Sequence, residues 1–523
     1  MKLLKMLLAV LAMGLLLAAC GEKQAEKEPV LGTIVNISFS DEEILADGVA
    51  VTENTGDAVY VARDIIYYQA GQAIGYGDGG EEDAHTAEEA NAHQVVHITK
   101  PGTYRLSGTL SKGQVAVDLG KDAKEDPTAV VTLILDGVDI TCQVAPAVIF
   151  YNVYECGDED NPTKDVGTSA AGANVMIADG KENNINGSYV AKIYKPESVK
   201  LSEDGTQVEE AKKLHKYDGA FYSKMSMNVF GEKKGTGVLN IRAANEGLDS
   251  EMHLTLNGGN INIFSGNDGI NTNEDGISVT TVNGGSLTVT VTGETGEGDG
   301  IDSNGWLVIN GGTVIASACA HSADAGIDSD MGIHINGGTV IAGGSMLDRI
   351  EAGGQTYAVF SLMQRGNGET PLSLKKEDGT VVAEISLPNA FSTLIYSSPD
   401  LEGGAYTLWN GDTQIAQQSS GMMGGPGGMG PGGMGGPQQP EGGQFPGQRP
   451  EGGMTPPDGF TPPEGGQFPQ FPGESDGRFP EGGQFPFPEG GQPPEKPENG
   501  AEYPQFDKQK APSTDGAFLI AFV

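Results

Sequence analysis

Four acidic or amide side chains recur at one position of a repeated pattern in the middle of the chain. Each follows a glycine and an Ile or Leu, and each precedes a Ser or Thr. These residues are Asp249, Asn271, Asp302 and Asp328. Further acidic residues stand close to them in the sequence, namely Asp268, Asp299 and Asp330. Side chains of this kind supply the hard oxygens that calcium prefers, roughly six to eight per ion. Capping of turns by bonds to the local backbone, with no ion, is the alternative.

An Asn-Gly-Gly turn between two alternating apolar runs belongs to each copy of this pattern. The turns begin at Asn257, Asn283, Asn310 and Asn336, at spacings of 26, 27 and 26 residues. Alternation with a period of two predicts strands with one buried face. A unit this short cannot bury its apolar face alone, so neighbouring units must stack about 4.8 Å apart. The sequence therefore predicts an all-β fold, a parallel β-helix in which like residues form a column.

A meander of antiparallel hairpins is the competing architecture, because Asn-Gly also favours tight hairpin turns. Hairpins would explain the turns. They would not explain why Gly-Ile-Asp-Ser recurs at its own fixed position in the repeat. The recurrence favours stacked coils.

Four side chains are candidates for contact with a carbohydrate. Trp306 lies four residues before Asn310, where alternation points outward, and His253 occupies the equivalent place before Asn257. An outward Trp offers a stacking surface for a pyranose ring, and packing under a neighbouring loop is the alternative. Tyr222 and Lys224 are further candidates for a groove that holds a polymer.

Charge and targeting signals restrict the partners of the chain. Its formal net charge is −40, from 31 basic and 71 acidic residues, which argues against nucleic acid. Residues 1–20 have a basic start, a short apolar run and the sequence Leu-Ala-Ala-Cys, which matches a bacterial lipobox. We therefore expect Cys20 to be the lipidated N-terminal residue of a monomeric, extracytoplasmic protein anchored to the membrane. An ordinary signal peptide is the alternative.

Composition divides the chain into six predicted segments. They are a lipoprotein signal at 1–20, a tether with N-terminal strands at 21–93, a parallel β-helix at 94–350, a small antiparallel β cap at 351–416, a disordered Gly/Pro/Met-rich segment at 417–512, and a strand at 513–523 that returns to the cap. Cys142 and Cys156 are close enough in sequence for a disulfide, although small buried apolar residues are the alternative.

Three motifs, at Gly102–Leu110, 133–141 and 218–224, precede the Asp-Gly-Ile and Asn-Gly-Gly units. This succession resembles a family of bacterial carbohydrate-binding-domain lipoproteins. The resemblance covers residues 94–410, and it implies a right-handed parallel β-helix that binds cellulose or a pectin-type polysaccharide, with calcium in the helix.

Non-catalytic binding of polysaccharide is the function we predict. No nucleophile motif occurs, and no Lys or Arg sits in a basic cluster that would depress its pKa. We therefore name no catalytic residue. A calcium-dependent polysaccharide lyase on the same fold and a structural surface adhesin are the alternatives.

Overall fold

The computed structural model describes residues 31–419, and these are almost entirely strands and connecting loops. The all-β class is confirmed. The predicted signal at 1–20 with Cys20, the start of the tether, the Gly/Pro/Met-rich segment beyond residue 419 and the last strand at 513–523 lie outside the described residues. One helix, α1 (Ala87–Asn91), is capped by Thr86. Within 31–419, no helix has the length and apolar character needed to cross a membrane.

The strands of residues 31–419 fall into four groups. The first group is β1 (Ile34–Phe39), β2 (Ile44–Ala46), β3 (Val49–Ala50), β4 (Val59–Ala62), β5 (Gln94–Ile98), β6 (Gly102–Leu110), β7 (Gly113–Asp118), β8 (Val131–Thr141), β9 (Val148–Asn152), β10 (Ala173–Ile177) and β11 (Glu182–Gly187). The second group, which we call the insertion, is β12 (Val190–Tyr194), β13 (Lys200–Leu201), β14 (Val208–Glu210) and β15 (Lys213–Tyr217). Two 3-10 turns lie at Ala123–Glu125 and Pro196–Ser198.

The repeat region and the C-terminal region contribute the other two groups. The repeat strands are β16 (Gly219–Ser223), β17 (Met227–Gly231), β18 (Val238–Ala243), β19 (Glu246–Ser250), β20 (Leu254–Leu256), β21 (Asn260–Ser265), β22 (Ile270–Thr272), β23 (Val279–Val282), β24 (Ser286–Val291), β25 (Trp306–Ile309), β26 (Thr313–Ser317), β27 (Gly332–Ile335) and β28 (Thr339–Gly344). The C-terminal strands are β29 (Tyr357–Gly366), β30 (Leu372–Lys376), β31 (Val381–Ile385), β32 (Phe391–Ser397), β33 (Tyr406–Asn410) and β34 (Thr413–Gln417).

Three ladders of parallel strands run through the repeats. The first contains β10, β17, β20, β23, β25 and β27. The second contains β11, β18, β21, β24, β26 and β28. The third contains β5, β7, β9, β16, β19 and β22. Strands that flank one Asn-Gly-Gly turn thus pair in parallel with the equivalent strands of adjacent repeats, as stacked units require.

Columns of aliphatic side chains fill the space between the ladders. On the first ladder, Val229, Leu256, Val282, Ile309 and Ile335 follow one another in register, and each is at most 1% exposed. The alternation read from the sequence therefore places one face of every strand in a common core. Burial of this apolar surface stabilises the stack, since it removes side chains of successive repeats from water together.

The Asn-Gly-Gly corners have a conformation that explains both residue types. The second glycine has a positive φ, as at Gly285 with φ 84°, and a Cβ there would lie 2.5 Å from the carbonyl oxygen of Gly259. Only glycine fits such a close approach at a left-handed φ. The Asn side chains form a ladder, because Asn283, Asn310 and Asn336 each donate a 2.9 Å hydrogen bond to the side-chain oxygen of the preceding Asn.

The insertion packs on the outer face of the third ladder. Its strands pair antiparallel, β12 with β15 and β13 with β14. The Tyr217 ring at the end of β15 lies 5.1 Å, between centroids, from Tyr222 and 5.6 Å from Tyr151. This part of the third ladder is therefore covered by protein.

The C-terminal strands pair antiparallel, unlike the repeats. β32 lies between β28 and β29, and β30, β31, β33 and β34 form a separate four-stranded sheet. A second apolar cluster, which includes Phe360, Leu374 and Leu408, packs between these strands. No disulfide joins Cys142 to Cys156 in the described chain, and Cys142 is a buried thiol.

Candidate functional site

The recurring Asp and Asn residues occupy equivalent positions on neighbouring strands. Asp249 on β19 is paired in register with Tyr222 on β16 and with Asn271 on β22. The backbone amides of Asp302 and Asp328 donate to carbonyls of the preceding repeat over 2.8 and 2.7 Å. These contacts place the four residues in one column.

Carboxylates at and beside this column gather into two clusters. In each cluster, one oxygen per residue lies within 4.8 Å of the others. The buried acidic cluster is Asp218, Glu246 and Asp249, and the half-buried acidic cluster is Asp299, Asp302 and Asp328. The single column read from the sequence therefore divides into two sites.

Backbone amides position the half-buried acidic cluster. The amide of Asp299 donates to Oδ1 of Asp268 over 2.7 Å, and the amide of Ala325 donates to Oδ1 of Asp299 over 2.5 Å. Asp268 thus supports the cluster from the previous repeat. Asp330 is exposed and lies outside the cluster.

Burial raises the pKa values of the half-buried acidic cluster, and repulsion between neighbouring carboxylates adds to the effect. The pKa of Asp299 is raised to about 9, that of Asp302 to about 7 and that of Asp328 to about 6. These raised pKa values mean that the three carboxyl groups are less stable in their ionised form at these positions than in water. A proton or a bound cation would relieve this.

The donor set of this cluster fits calcium. It offers only carboxylate oxygens. Asp299 and Asp302 belong to one repeat, and Asp328 belongs to the next. Hard oxygen donors suit Ca²⁺ or Mg²⁺, whereas zinc and other transition metals favour His and Cys.

The buried acidic cluster is held by amide side chains. Nδ2 of Asn271 donates to Oε1 of Glu246 over 3.1 Å, and Nδ2 of Asn273 donates to Oδ1 of Asp249 over 2.6 Å. Glu246 is 5% exposed and Asp249 is fully buried. Their pKa values are raised well above the ordinary range, first by burial and then by neighbouring carboxylates.

Lys216 of the insertion reaches the same cluster. Its Nζ lies 2.8 Å from Oδ2 of Asp218. Burial raises the pKa of Asp218, although the attraction of Lys216 opposes that rise. The insertion therefore covers the cluster and brings a positive charge to it.

Two of the residues predicted to contact a carbohydrate are buried, and the prediction is corrected for both. Tyr222 is 2% exposed beneath the insertion, and its hydroxyl donates to Oε1 of Glu251 over 2.7 Å. His253 is also 2% exposed, and the loop that carries Gly157 lies against its ring. Strand alternation points both side chains away from the apolar core, but other segments cover them there.

The other two predicted carbohydrate contacts remain accessible. Trp306, the first residue of β25, is partly exposed and stands in register between Val279 and Gly332. Lys224 is exposed and follows β16 directly. Accessibility keeps both as candidates for ligand contact.

Lys224 lines an open cleft of about 430 Å³ at the ends of β9, β16 and β19. Lys121 and Lys124 stand on the same cleft, and Glu251 and Glu274 add acidic groups. Lys124 is paired with Glu159 over 2.9 Å. Among the residues described, neither Lys121 nor Lys224 has an acidic partner at ion-pair distance. The cleft thus has unpaired positive charge in a strongly acidic protein.

Sequence reasoning missed several residues of these sites. Asp218 and Glu246 stand directly before Gly219 and Gly247, as Asp268 stands before Gly269, so the repeat contained a signal for them. Lys216 had no such signal, because it lies in the insertion, outside the repeat. The cleft lysines at 121 and 124 lie far from Lys224 in sequence, and only the fold brings them together.

Comparisons with known proteins give one family and two individual similarities. A family model described as "Carbohydrate-binding domain-containing protein" matches residues 92–356. A protein of Acetivibrio thermocellus with the same description is 29% identical over 174 residues, which are 33% of this chain and 46% of that protein. The match therefore spans about half the length of this relative.

A solved structure, described as the polysaccharide lyase-like protein from C. thermocellum in a gadolinium derivative, is also similar. It aligns with a TM-score of 0.35 and 22% identity, over 59% of this chain and 90% of that one.

Proposed function

Since the chain belongs to the carbohydrate-binding-domain-containing family, we propose that it binds a polysaccharide, of the cellulose or pectin type, without catalysis. The open cleft beside Lys224 supports this proposal, because it offers a place where the polysaccharide can bind. Its lysines offer donors for hydroxyl and carboxylate groups, and its acidic residues offer acceptors. An extended polymer can lie in a cleft of this open shape.

The supporting fold, in this proposal, is a right-handed parallel β-helix at residues 94–350 closed by an antiparallel β cap at 351–416. The three parallel ladders support the first part, because each repeat gives one strand to the first and second ladders. The antiparallel pairing of β32 with β28 supports the second part, since it ends the parallel stack. The lysine cleft then lies along one side of the stack.

Calcium at the half-buried acidic cluster is the second element of the proposal. Asp299, Asp302 and Asp328 would hold the ion, with Asp268 orienting Asp299 through its backbone amide. Bound cation would neutralise carboxylates that otherwise repel one another across adjacent repeats. Its contribution to glycan binding would be to keep these corners ordered.

Anchoring at the bacterial cell surface completes the proposal. The lipobox before Cys20 supports a lipid-anchored, extracytoplasmic protein. Replacement by Cys20→Ser should release the protein from the membrane fraction and abolish incorporation of a labelled fatty acid. Fatty-acid incorporation into the Cys20→Ser variant would contradict this assignment.

A sedimentation assay on insoluble cellulose and on polygalacturonate gel tests the binding function. We expect wild-type protein to bind at least one of them, and Lys224→Ala to bind roughly tenfold more weakly, because the cleft loses an unpaired cation. Lys100→Ala is the matched control, since it removes an exposed lysine outside the cleft.

Absorbance of unsaturated uronate products, measured in the same tubes, separates the alternatives. Retention without product supports a binding module. Release of product would identify the protein as a calcium-dependent polysaccharide lyase, and a chelator should then abolish the release. Absence of both retention and product would leave a structural surface adhesin.

A further inference from the structure

A second row of asparagines lies on the outer face of the second ladder. Asn184 on β11, Asn240 on β18 and Asn262 on β21 are paired in register, and Thr288 on β24 follows them. Nδ2 of Asn240 donates to Oδ1 of Asn184 over 3.0 Å, and Nδ2 of Asn262 donates to Oδ1 of Asn240 over 2.9 Å. All four side chains are partly exposed. Successive strands lie about 4.8 Å apart, so the row presents amide and hydroxyl groups to solvent at that spacing.

A parallel row beside it contains an aromatic ring. Arg242, Phe264 and Thr290 are paired in register on β18, β21 and β24. The guanidinium carbon of Arg242 lies 4.7 Å from the centroid of the Phe264 ring, and their attraction holds both side chains on the surface. The phenyl ring offers apolar contact to the C–H groups of a ligand, and the guanidinium offers hydrogen-bond donors. We call the two rows together the amide face.

Several polar groups of the amide face are available to a ligand. Within residues 31–419, Oδ1 of Asn262 and the hydroxyls of Thr288 and Thr290 have no hydrogen-bond partner in the protein. Arg242 is exposed, and no carboxylate of the same residues lies at ion-pair distance from it. These groups stand next to Phe264, along its strand and across to the neighbouring strands. A ligand that contacts the ring can therefore also form hydrogen bonds with them.

The C-terminal strands limit how far the amide face extends. Ile315 and Ile341 continue the row of Thr288 on β26 and β28, and both pack in the apolar cluster of the C-terminal region. Nδ2 of Asn389, which precedes β32, donates to the carbonyl oxygen of Val291 at the end of β24 over 2.6 Å. The accessible part therefore spans β11, β18, β21 and β24, which is about 14 Å across the strands.

The strands at the centre of the amide face lack acidic residues. The chain has 71 Asp and Glu residues, yet β18, β21 and β24 contain none, and Arg242 is their only charged residue. A polyanion would need several basic groups and would meet only one here. Protein partners favour surfaces with several aromatic anchors, and the amide face has one. Amides and hydroxyls lose water at small cost when a ligand replaces the hydrogen bonds, which suits a neutral polymer rich in hydroxyl groups.

We propose that the amide face binds a neutral polysaccharide in an extended conformation, with the polymer lying across the strands. Phe264 packs against the C–H groups of one pyranose ring, and Asn262, Thr288 and Thr290 form hydrogen bonds with hydroxyl groups of that ring and its neighbours. This inference rests on the proposed binding of polysaccharide. It assigns the neutral polymer to a second surface, which shares no residue with the lysine cleft.

Retention of the full chain on insoluble cellulose, a neutral polymer, tests the assignment. Phe264→Ala should bind cellulose roughly tenfold more weakly than wild type, because the pyranose loses its apolar contact. Tyr60→Ala is the matched control and should bind like wild type. Tyr60 is also a partly exposed ring stacked on another side chain, that of His97, but it lies on β4, away from the amide face.

Thr290→Lys tests the same surface without removing an apolar side chain. The longer side chain should obstruct the polymer and lower retention on cellulose by a similar factor. Thr413→Lys, on the exposed start of β34, is its control and should bind like wild type. Thermal melting checks that each variant is folded, and Thr290→Lys alone is compared if Phe264→Ala is not.

Polygalacturonate, measured in parallel, separates this inference from the proposed function. A folded Phe264→Ala or Thr290→Lys variant that keeps wild-type retention on cellulose would refute the assignment to the amide face. Equal losses in the two controls would have the same meaning. Wild-type protein that binds polygalacturonate and not cellulose would also refute the assignment, while leaving the proposed function in place. Retention on neither polymer would refute both.

Discussion

The hydroxyl of Tyr222 donates a 2.7 Å hydrogen bond to Oε1 of Glu251, and so links a buried ring to a carboxylate on the wall of the cleft. Glu251 also lies 3.0 Å from Nζ of Lys213 in the insertion. The insertion and β16 thus both orient this carboxylate. Tyr222 does not line the cleft itself, and its contact with the cleft wall is the hydrogen bond to Glu251.

Tyr222→Phe should lower the free energy of unfolding by about 1–2 kcal/mol, because it removes the hydrogen bond that a buried hydroxyl donates to Glu251. Urea denaturation of the variant and of wild type measures this loss of stability. Glycan retention should change little, since the ring itself is covered. Tyr154→Phe serves as control, because the Tyr154 hydroxyl has no hydrogen bond within the described chain. Loss of retention with unchanged stability would restore Tyr222 as a contact residue.

Asn310→Ala should destabilise the protein by roughly 1–3 kcal/mol, since it breaks the asparagine ladder in the middle. Asn310 donates to Asn283 and accepts from Asn336. Asn336→Ala, at the exposed end, breaks only the bond to Asn310 and should cost less. Denaturation midpoints of the two variants provide the comparison. Equal costs would mean that the ladder does not act as a connected unit.

Gly285→Ala should cost about 1–3 kcal/mol, because alanine must adopt a left-handed φ there. Its Cβ would also stand 2.5 Å from the carbonyl oxygen of Gly259. Gly284→Ala, in the same turn, has an ordinary φ and a nearest atom at 3.4 Å, so it should be tolerated better. Differential scanning calorimetry of the pair is the measurement. Similar melting temperatures would argue against a strained corner.

The contribution of Asp302 to stability in the presence of chelator should fall as pH rises from about 4 to about 7. The pKa of Asp302 is raised from 3.8 to about 7, mainly by burial. Between these values the folded protein binds more protons than the unfolded chain, so folding loses free energy as pH increases. The contribution of Asp302 is fully present below pH about 4 and is gone above pH about 7.

The difference between wild type and Asp302→Asn isolates this effect from other titrating groups. In chelator, the variant should gain stability relative to wild type across the same pH window, as followed by urea denaturation. Saturating calcium should reduce the difference if the ion stabilises the ionised carboxylate. A difference that is independent of pH would contradict the raised pKa.

Local sequence was sufficient for the repeats and their corners. The period of two and the Asn-Gly-Gly spacing predicted the buried columns such as Val282 over Leu256, because pleat and turn chemistry act over a few residues. The same pattern placed Asp249 level with Asn271 and ordered Asp302 and Asp328 after them. Accessibility did not follow from it, as the buried Tyr222 and His253 demonstrate.

The amino-acid sequence by itself determined the strands, the tight corners and the order of acidic residues, since each depends on neighbours in the chain. Tertiary structure alone decided that Asp249 belongs with Asp218 and Glu246 while Asp302 belongs with Asp299. It also decided which side chains the insertion covers and which lysines meet in the cleft. Burial and charge clustering depend on contacts between distant segments, and no local pattern encodes them.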